Sequence, residues 1–314
     1  MRRCDRFAVM IGILTFAMIA PWLTSLVEAG GAPGATYVGA ETCNTCHGDA
    51  GPKLAETRMG KIFLRAPRDE REKLGCENCH GPGSKHVEDP TTPGPILAFG
   101  NSSAAPVEEQ NEACLQCHEN GKQARWTGSV HQSRGLACVT CHKVMEKTSD
   151  RFQLNRTGEK MPFFARRAET EVCLQCHLQR GAQLLRSSHM PLREGKMTCG
   201  DCHNPHGTTT PSLLTAHSVN ETCYKCHADK RGPFLWEHPP ARESCLNCHD
   251  AHGSIHPTML KEKAPRLCQQ CHIENRHPTE PHAANQRFVF NRSCMNCHPQ
   301  VHGSNHPSGP VLQR

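Results

Sequence analysis

Ten copies of Cys-x-x-Cys-His, few aromatic residues, and no sustained alternating apolar pattern together predict a multihaem c-type cytochrome fold. The expected architecture is short α-helices and coil around ten covalently bound haem c groups. It is an elongated array of five two-haem repeats with essentially no β-sheet. The 314 residues are 36% hydrophobic and only 5% aromatic, with 23 Pro and 25 Gly, which suits turns better than a side-chain core. Porphyrin discs then supply the apolar interior, and removing them should leave the chain unfolded.

The motif is specific. This composition predicts roughly 0.1 chance occurrence, so ten leave no room for coincidence. The paired cysteines are Cys43 and Cys46, Cys76 and Cys79, Cys114 and Cys117, Cys138 and Cys141, Cys173 and Cys176, Cys199 and Cys202, Cys223 and Cys226, Cys245 and Cys248, Cys268 and Cys271, and Cys294 and Cys297. Their thiols add across the haem vinyl groups. The histidine that follows each pair is the proximal iron ligand: His47, His80, His118, His142, His177, His203, His227, His249, His272 and His298. Zinc ribbons pair two Cys-x-x-Cys units and need no histidine after each, and disulfides give no reason for that histidine either. Of the 21 cysteines only Cys4 is left over.

Taken in order, Arg2, Arg3 and Arg6 precede an apolar run from Phe7 to about Val27, and Val27-Glu28-Ala29 ends in small residues. This reads as a secretory signal peptide over 1–29, cut after Ala29. The alternative is an uncleaved anchor, against which Pro21, Thr24 and Ser25 interrupt the run. Residues 30–110 hold the first two-haem repeat and a Pro/Gly-rich linker, 111–170 the second repeat and its linker, and 171–314 the third to fifth repeats. Asn111-Glu112, Thr170-Glu171 and Asn220-Glu221 each precede a motif, where Asn or Thr can cap a helix and Glu suits its first turn.

Each repeat offers two candidate distal ligands. After the first motif come Met59, His131, His189, His238 and, in the last repeat, His277 or His282. After the second motif come His86, Met145, His206, His252 and His302. His206 lies too close to His203 to reach around the same ring, so a neighbouring haem is its expected target. Met59 and Met145 are candidates for a softer thioether ligand that raises haem potential. The alternative is that they only pack, with a spare histidine (His217, His256, His282 or His306) taking the slot.

The formal charge of +6 is a poor guide to the assembled surface. Ten haems add about twenty propionates, so an acidic holoprotein and no nucleic-acid partner are expected. Arg65, Arg68, Arg71 and Lys73 read as a solvated face, and Trp126 and Trp236 as packing on haem faces. Saturated irons leave no open position for substrate, so no catalytic residues are expected and the function is electron transfer, not enzymatic.

Four stretches, Cys199–Gly207 (CGDCHNPHG), Cys223–His238 (CYKCHADKRGPFLWEH), Cys268–His272 (CQQCH) and Cys294–Gly309 (CMNCHPQVHGSNHPSG), carry a resemblance, and the linker Gly94–Ser102 also fits. Over about 37–314 the chain resembles the periplasmic decahaem cytochromes of the MtrA/DmsE/PioA type. That resemblance implies a haem wire, periplasmic and associated with the outer membrane, seated in an outer-membrane β-barrel porin. It implies periplasmic or inner-membrane cytochromes as partners, an extracellular multihaem cytochrome as a further one, and extracellular donors or acceptors such as Fe(II)/Fe(III) minerals. It also implies distal ligation by His86, His131, His189, His206, His238, His252, His277 and His302. Met59 and Met145 depart from the family pattern, which has histidine there. A soluble periplasmic shuttle or charge store is the alternative function, and a multihaem reductase a further one.

Overall fold

Every attachment motif for which the turn is described closes one helical turn. The histidine N–H donates to the carbonyl of the first cysteine, at 2.9 Å for His47–Cys43 and His298–Cys294 and 3.1 Å for His80–Cys76. One such turn places positions i, i+3 and i+4 on a single face, so both sulfurs and the imidazole point the same way. The computed structural model describes residues 31–145, 169–272 and 293–313. The signal segment, the 146–168 linker, and His277 and His282 lie outside the described residues.

Five helices carry the opening cysteine of the five first motifs: α1 (Ala40–Cys46), α2 (Val107–His118), α3 (Glu169–Leu174), α4 (Val219–Tyr224) and α5 (Arg266–Gln269). The second motifs sit on shorter turns. Glu77–His80 and Cys138–Cys141 are α-helical, and Cys199–Asp201, Cys245–Asn247 and Cys294–Asn296 are 3₁₀. Between them run coil and further short helices, among them Ala50–Glu56, Ser84–Glu88, Leu178–Leu184 and Pro239–Glu243. The described residues contain isolated bridges but no strand or sheet, as the sequence predicts.

The expected caps are corrected. Asn111 and Asn220 lie inside α2 and α4, and Thr170 is the second residue of α3. α2 starts after Pro106, and α4 is capped by Ser218, whose hydroxyl accepts from Glu221 N–H at 3.1 Å. The buried asparagines do something else. The Cys138 N–H donates to Asn111 Oδ1 at 2.7 Å, and Asn111 Nδ2 donates to Leu136 O at 3.1 Å. Likewise the Cys245 N–H donates to Asn220 Oδ1 at 2.7 Å, while Asn220 Nδ2 reaches Ala241 O and Arg242 O at 3.1 and 2.9 Å. Each asparagine thus clamps the second motif of its repeat onto the first. In the first repeat the buried Glu77 carboxylate does a similar job, accepting from Val38, Gly39 and Gly83 N–H at 2.8–2.9 Å.

Neighbouring repeats are seated on one another through glycine. Gly207 has φ +115°, and a Cβ there would stand 2.2 Å from Arg125 O; Gly253 has φ +149° and meets Gln183 O at the same distance. Only glycine takes this backbone and this approach together. Backbone bridges Ser188–Ser254 and Trp236–Ser304 reinforce the later contacts.

The apolar interior is small. Leu54, Phe63, Leu97, Ala113, Trp126, Ala137, Val172 and Leu184 are the buried hydrophobics among the described residues, and they are scattered along the chain. Leu178, Ile255 and Leu185 are 66–71% exposed. No helix among the described residues is long and apolar enough to cross a membrane.

Candidate haem sites

Among the described residues, six pairs of imidazoles face each other at one recurring separation. Five are near-parallel: His47–His86 at 6.1 Å and 17°, His142–His206 at 5.9 Å and 11°, His203–His252 at 6.2 Å and 12°, His249–His302 at 6.3 Å and 10°, and His238–His272 at 6.2 Å and 19° between ring centroids and planes. The sixth, His131–His177, is crossed at 81° with centroids 6.2 Å apart. Each pair joins one motif histidine to one candidate distal histidine. Two rings bound to one atom through bonds of about 2.0 Å, the usual metal–imidazole length, would have centroids about 6.3 Å apart. The spacing therefore fits a haem iron between the rings.

The other ring nitrogen gives a second test. A metal-ligating histidine donates its remaining N–H to a fixed acceptor, which sets the tautomer and the ring plane. Nδ1 lies 2.7 Å from a backbone oxygen in His80 (Leu97 O), His131 (Pro205 O), His189 (Arg186 O) and His203 (Ser212 O). In His238 (Val301 O) and His249 (Thr258 O) it lies at 2.8 Å. With Nδ1–H so committed, Nε2 is left as the lone-pair atom in all of these but His189, whose Nε2 faces the Glu194 carboxylate. Burial pushes His206 down to about 4 and lowers His80, His252 and His302, which keeps these imidazoles neutral, as a ligand must be. Trp126 Nε1 is buried with no partner among the described residues, beside the His206 ring at 6.3 Å; a haem propionate is the kind of acceptor that would satisfy it.

The carbonyls that hold the proximal rings were not read from the sequence. Ser212 and Leu213 have φ +58° and +56°, and Thr258 and Met259 +55° and +56°, all left-handed without glycine. Each pair follows a proline, Pro211 or Pro257, and precedes a leucine that bridges back to its proximal histidine, His203–Leu214 and His249–Leu260. The repeated Pro-x-x-Leu beginning eight residues after the proximal histidine, Pro211–Leu214 after His203 and Pro257–Leu260 after His249, was the available signal. In the first repeat Leu97, inside the stretch read as linker, plays the same part for His80, donating its N–H to His80 O at 2.9 Å.

The motifs follow one another in space. Within repeats the opening thiols of the two motifs lie close enough to shift one another's ionisation: Cys43 with Cys76, Cys114 with Cys138, Cys173 with Cys199, Cys223 with Cys245, and Cys268 with Cys294. These sulfurs stand in for thioethers of the mature protein. Between repeats the closing thiols take over, with Cys79 in electrostatic reach of Cys117, Cys141 of Cys176, Cys202 of Cys226, and Cys248 of Cys271. Burial, with Cys117 adding to it, pushes the Cys79 thiol up to about 11.

The remaining candidates sit differently. Met59 is half-buried in the short helix Arg58–Gly60, and Met145 is 39% exposed. His189 Nε2 contacts Glu194 Oε1 at 3.1 Å. Arg65, Arg68, Arg71 and Lys73 are all exposed, as read from the sequence, and the Arg68 guanidinium and N–H also engage the buried Glu72 carboxylate, which is held below its ordinary value as a result.

Known proteins agree with this chemistry. A doubled CXXCH motif model matches residues 189–232 and 238–277, and a model of NrfB-like cytochrome c-type proteins matches 76–162. The multiheme cytochrome MtrA of Shewanella baltica (strain OS185) is 42% identical over 285 residues, covering 88% of this chain and 81% of the relative.

The chain belongs to the MtrA family of multihaem c-type cytochromes. As a member of this family it binds haem c through its Cys-x-x-Cys-His motifs and transfers electrons rather than catalysing a reaction on a substrate. The ring pairs and thiol contacts are the local geometry with which this family member would hold its haems.

Proposed function

We propose that the chain holds ten haems in one unbroken row and conducts electrons along it across the outer membrane, seated in a β-barrel porin. The observation that carries this is the set of six facing imidazole pairs, five of which join one repeat to the next, with the motif thiols within electrostatic range of one another along the chain from Cys43 to Cys294. Bound haem supplies reversible one-electron chemistry; the protein's part is spacing and saturation. The cysteine pairs fix each disc edge to a helical turn. The opposed imidazoles leave no coordination position for substrate, so electron exchange proceeds with little rearrangement. The likeness to a multiheme cytochrome MtrA supports the periplasmic, outer-membrane setting, with a signal peptide over 1–29 to reach it.

In this reading the distal ligands are the paired histidines His86, His131, His206, His238, His252 and His302, together with His189, His277, Met59 and Met145. The donors and acceptors are periplasmic cytochromes on one side and extracellular Fe(II)/Fe(III) species, directly or through a further multihaem cytochrome, on the other. The test is reconstitution with the cognate barrel in liposomes that enclose a redox dye. External Fe(II) should reduce the dye, or external ferric oxide oxidise it, only when both proteins are present. Equal activity of the soluble protein, with no co-purifying barrel, would instead make it a periplasmic shuttle.

A further inference from the structure

Taken as ligand pairs, a reading this inference rests on, the five ring pairs that join two repeats obey one rule. A distal histidine that follows the first motif of a repeat reaches forward to the first haem of the next repeat: His131 to His177 and His238 to His272. One that follows the second motif reaches back to the second haem of the preceding repeat: His206 to His142, His252 to His203, and His302 to His249. His86, which has no preceding repeat, faces His47 of its own. The seating of Gly207 on Arg125 and of Gly253 on Gln183 is the backward step seen in the backbone.

Met59 follows the first motif of the first repeat, and Met145 the second motif of the second. We propose that Met145 ligates the iron held by His80 and that Met59 ligates the iron held by His118. Among the described residues neither His80 nor His118 faces a second imidazole; the His80 ring meets Phe99 edge-on at 5.2 Å. His306 Nδ1 accepts from Ser308 N–H at 3.2 Å, which puts the ring proton on Nε2 and leaves no lone pair there for iron. The two irons are neighbours in the row, because Cys79 lies in reach of Cys117 and the Glu77–His80 turn packs on α2. The chain thus places two His/Met haems side by side, second and third in order. A neutral thioether favours ferrous iron, so this adjacent pair is a high-potential, two-electron station near one end of an otherwise bis-histidine row.

The experiment is near-infrared magnetic circular dichroism of the purified, fully oxidised holoprotein, with no barrel present. The expected spectrum shows His/Met charge-transfer intensity for two irons in ten. Met59→His and Met145→His should each remove half of it, the double variant all of it, and each should shift one redox centre to lower potential. A wild-type spectrum with bis-histidine bands alone, or a band untouched by both substitutions, overturns the proposal. Iron-to-sulfur bonds in a density map at His80 for Met145 and at His118 for Met59 complete it; bonds to any other irons overturn it. Loss of conduction in liposomes bears only on the conduit reading, since these spectra need no partner.

Discussion

At the scale of single residues, the decisive side chains are those that fix geometry without touching metal. Asn220 accepts from Cys245 N–H and donates to two carbonyls, all while 7% exposed. Truncating it takes the Asn220 partner from three part-buried backbone groups. Asn220→Ala should therefore cost about 2–4 kcal/mol, from the penalty of each unsatisfied group. Asn220→Asp, which keeps the acceptor, should recover part of that. Thermal denaturation of the holoprotein followed by circular dichroism measures both; an alanine variant as stable as wild type would remove the clamp from this account. The axial histidines give a sharper readout. His206→Ala should convert one haem from low to high spin, visible in the electronic spectrum, while the other bands persist. The affected iron should be the one held by His142, since that ring stands opposite at 5.9 Å.

Elements here are turns and straps more than helices. The straps after the second motifs hold Ser212 in a left-handed conformation that an L-residue adopts at a cost of about 1–2 kcal/mol. Ser212→Gly should relieve most of that and raise the melting temperature, because the carbonyl that receives His203 Nδ1–H is backbone and survives. Ser212→Val should lower it. The reverse holds at Gly207, where an added methyl would meet Arg125 O at 2.2 Å. Gly207→Ala should cost about 2–4 kcal/mol through overpacking and backbone strain, and should raise the high-spin fraction as His206 is drawn off its iron. Calorimetry and the haem spectrum of the same sample check the two effects together.

At the scale of the whole molecule, the buried apolar side chains among the described residues are eight and scattered, too few for a side-chain core. On the proposed ligand pairing, stability comes from haem contacts and from ligand bonds that staple each repeat to the next in both directions. Expression without the cytochrome c maturation machinery should therefore yield a chain with little helical circular dichroism and rapid proteolysis. A compact, protease-resistant apo-chain would show that protein contacts suffice. Trp236 illustrates how few those contacts are: its indole N–H donates to His306 O at 3.0 Å and its backbone pairs with Ser304, joining the fourth repeat to the fifth.

The sequence by itself determined the haem chemistry and the fold class, because covalent attachment demands a fixed local order of residues: Cys43-Asn44-Thr45-Cys46-His47 reads the same in any context. It also yielded the candidate distal residues, since a histidine near a motif has few other reasons to be there. It misplaced the role of Asn111 and Asn220, because helix-capping and motif-to-motif clamping within a repeat use the same amide and differ only in what lies across from it. Which ring stands opposite which, and that His131 reaches forward while His206 reaches back, was decided by tertiary structure alone. Those pairings join residues 46 and 64 positions apart, through the seating of one repeat on another, and no local spacing encodes them.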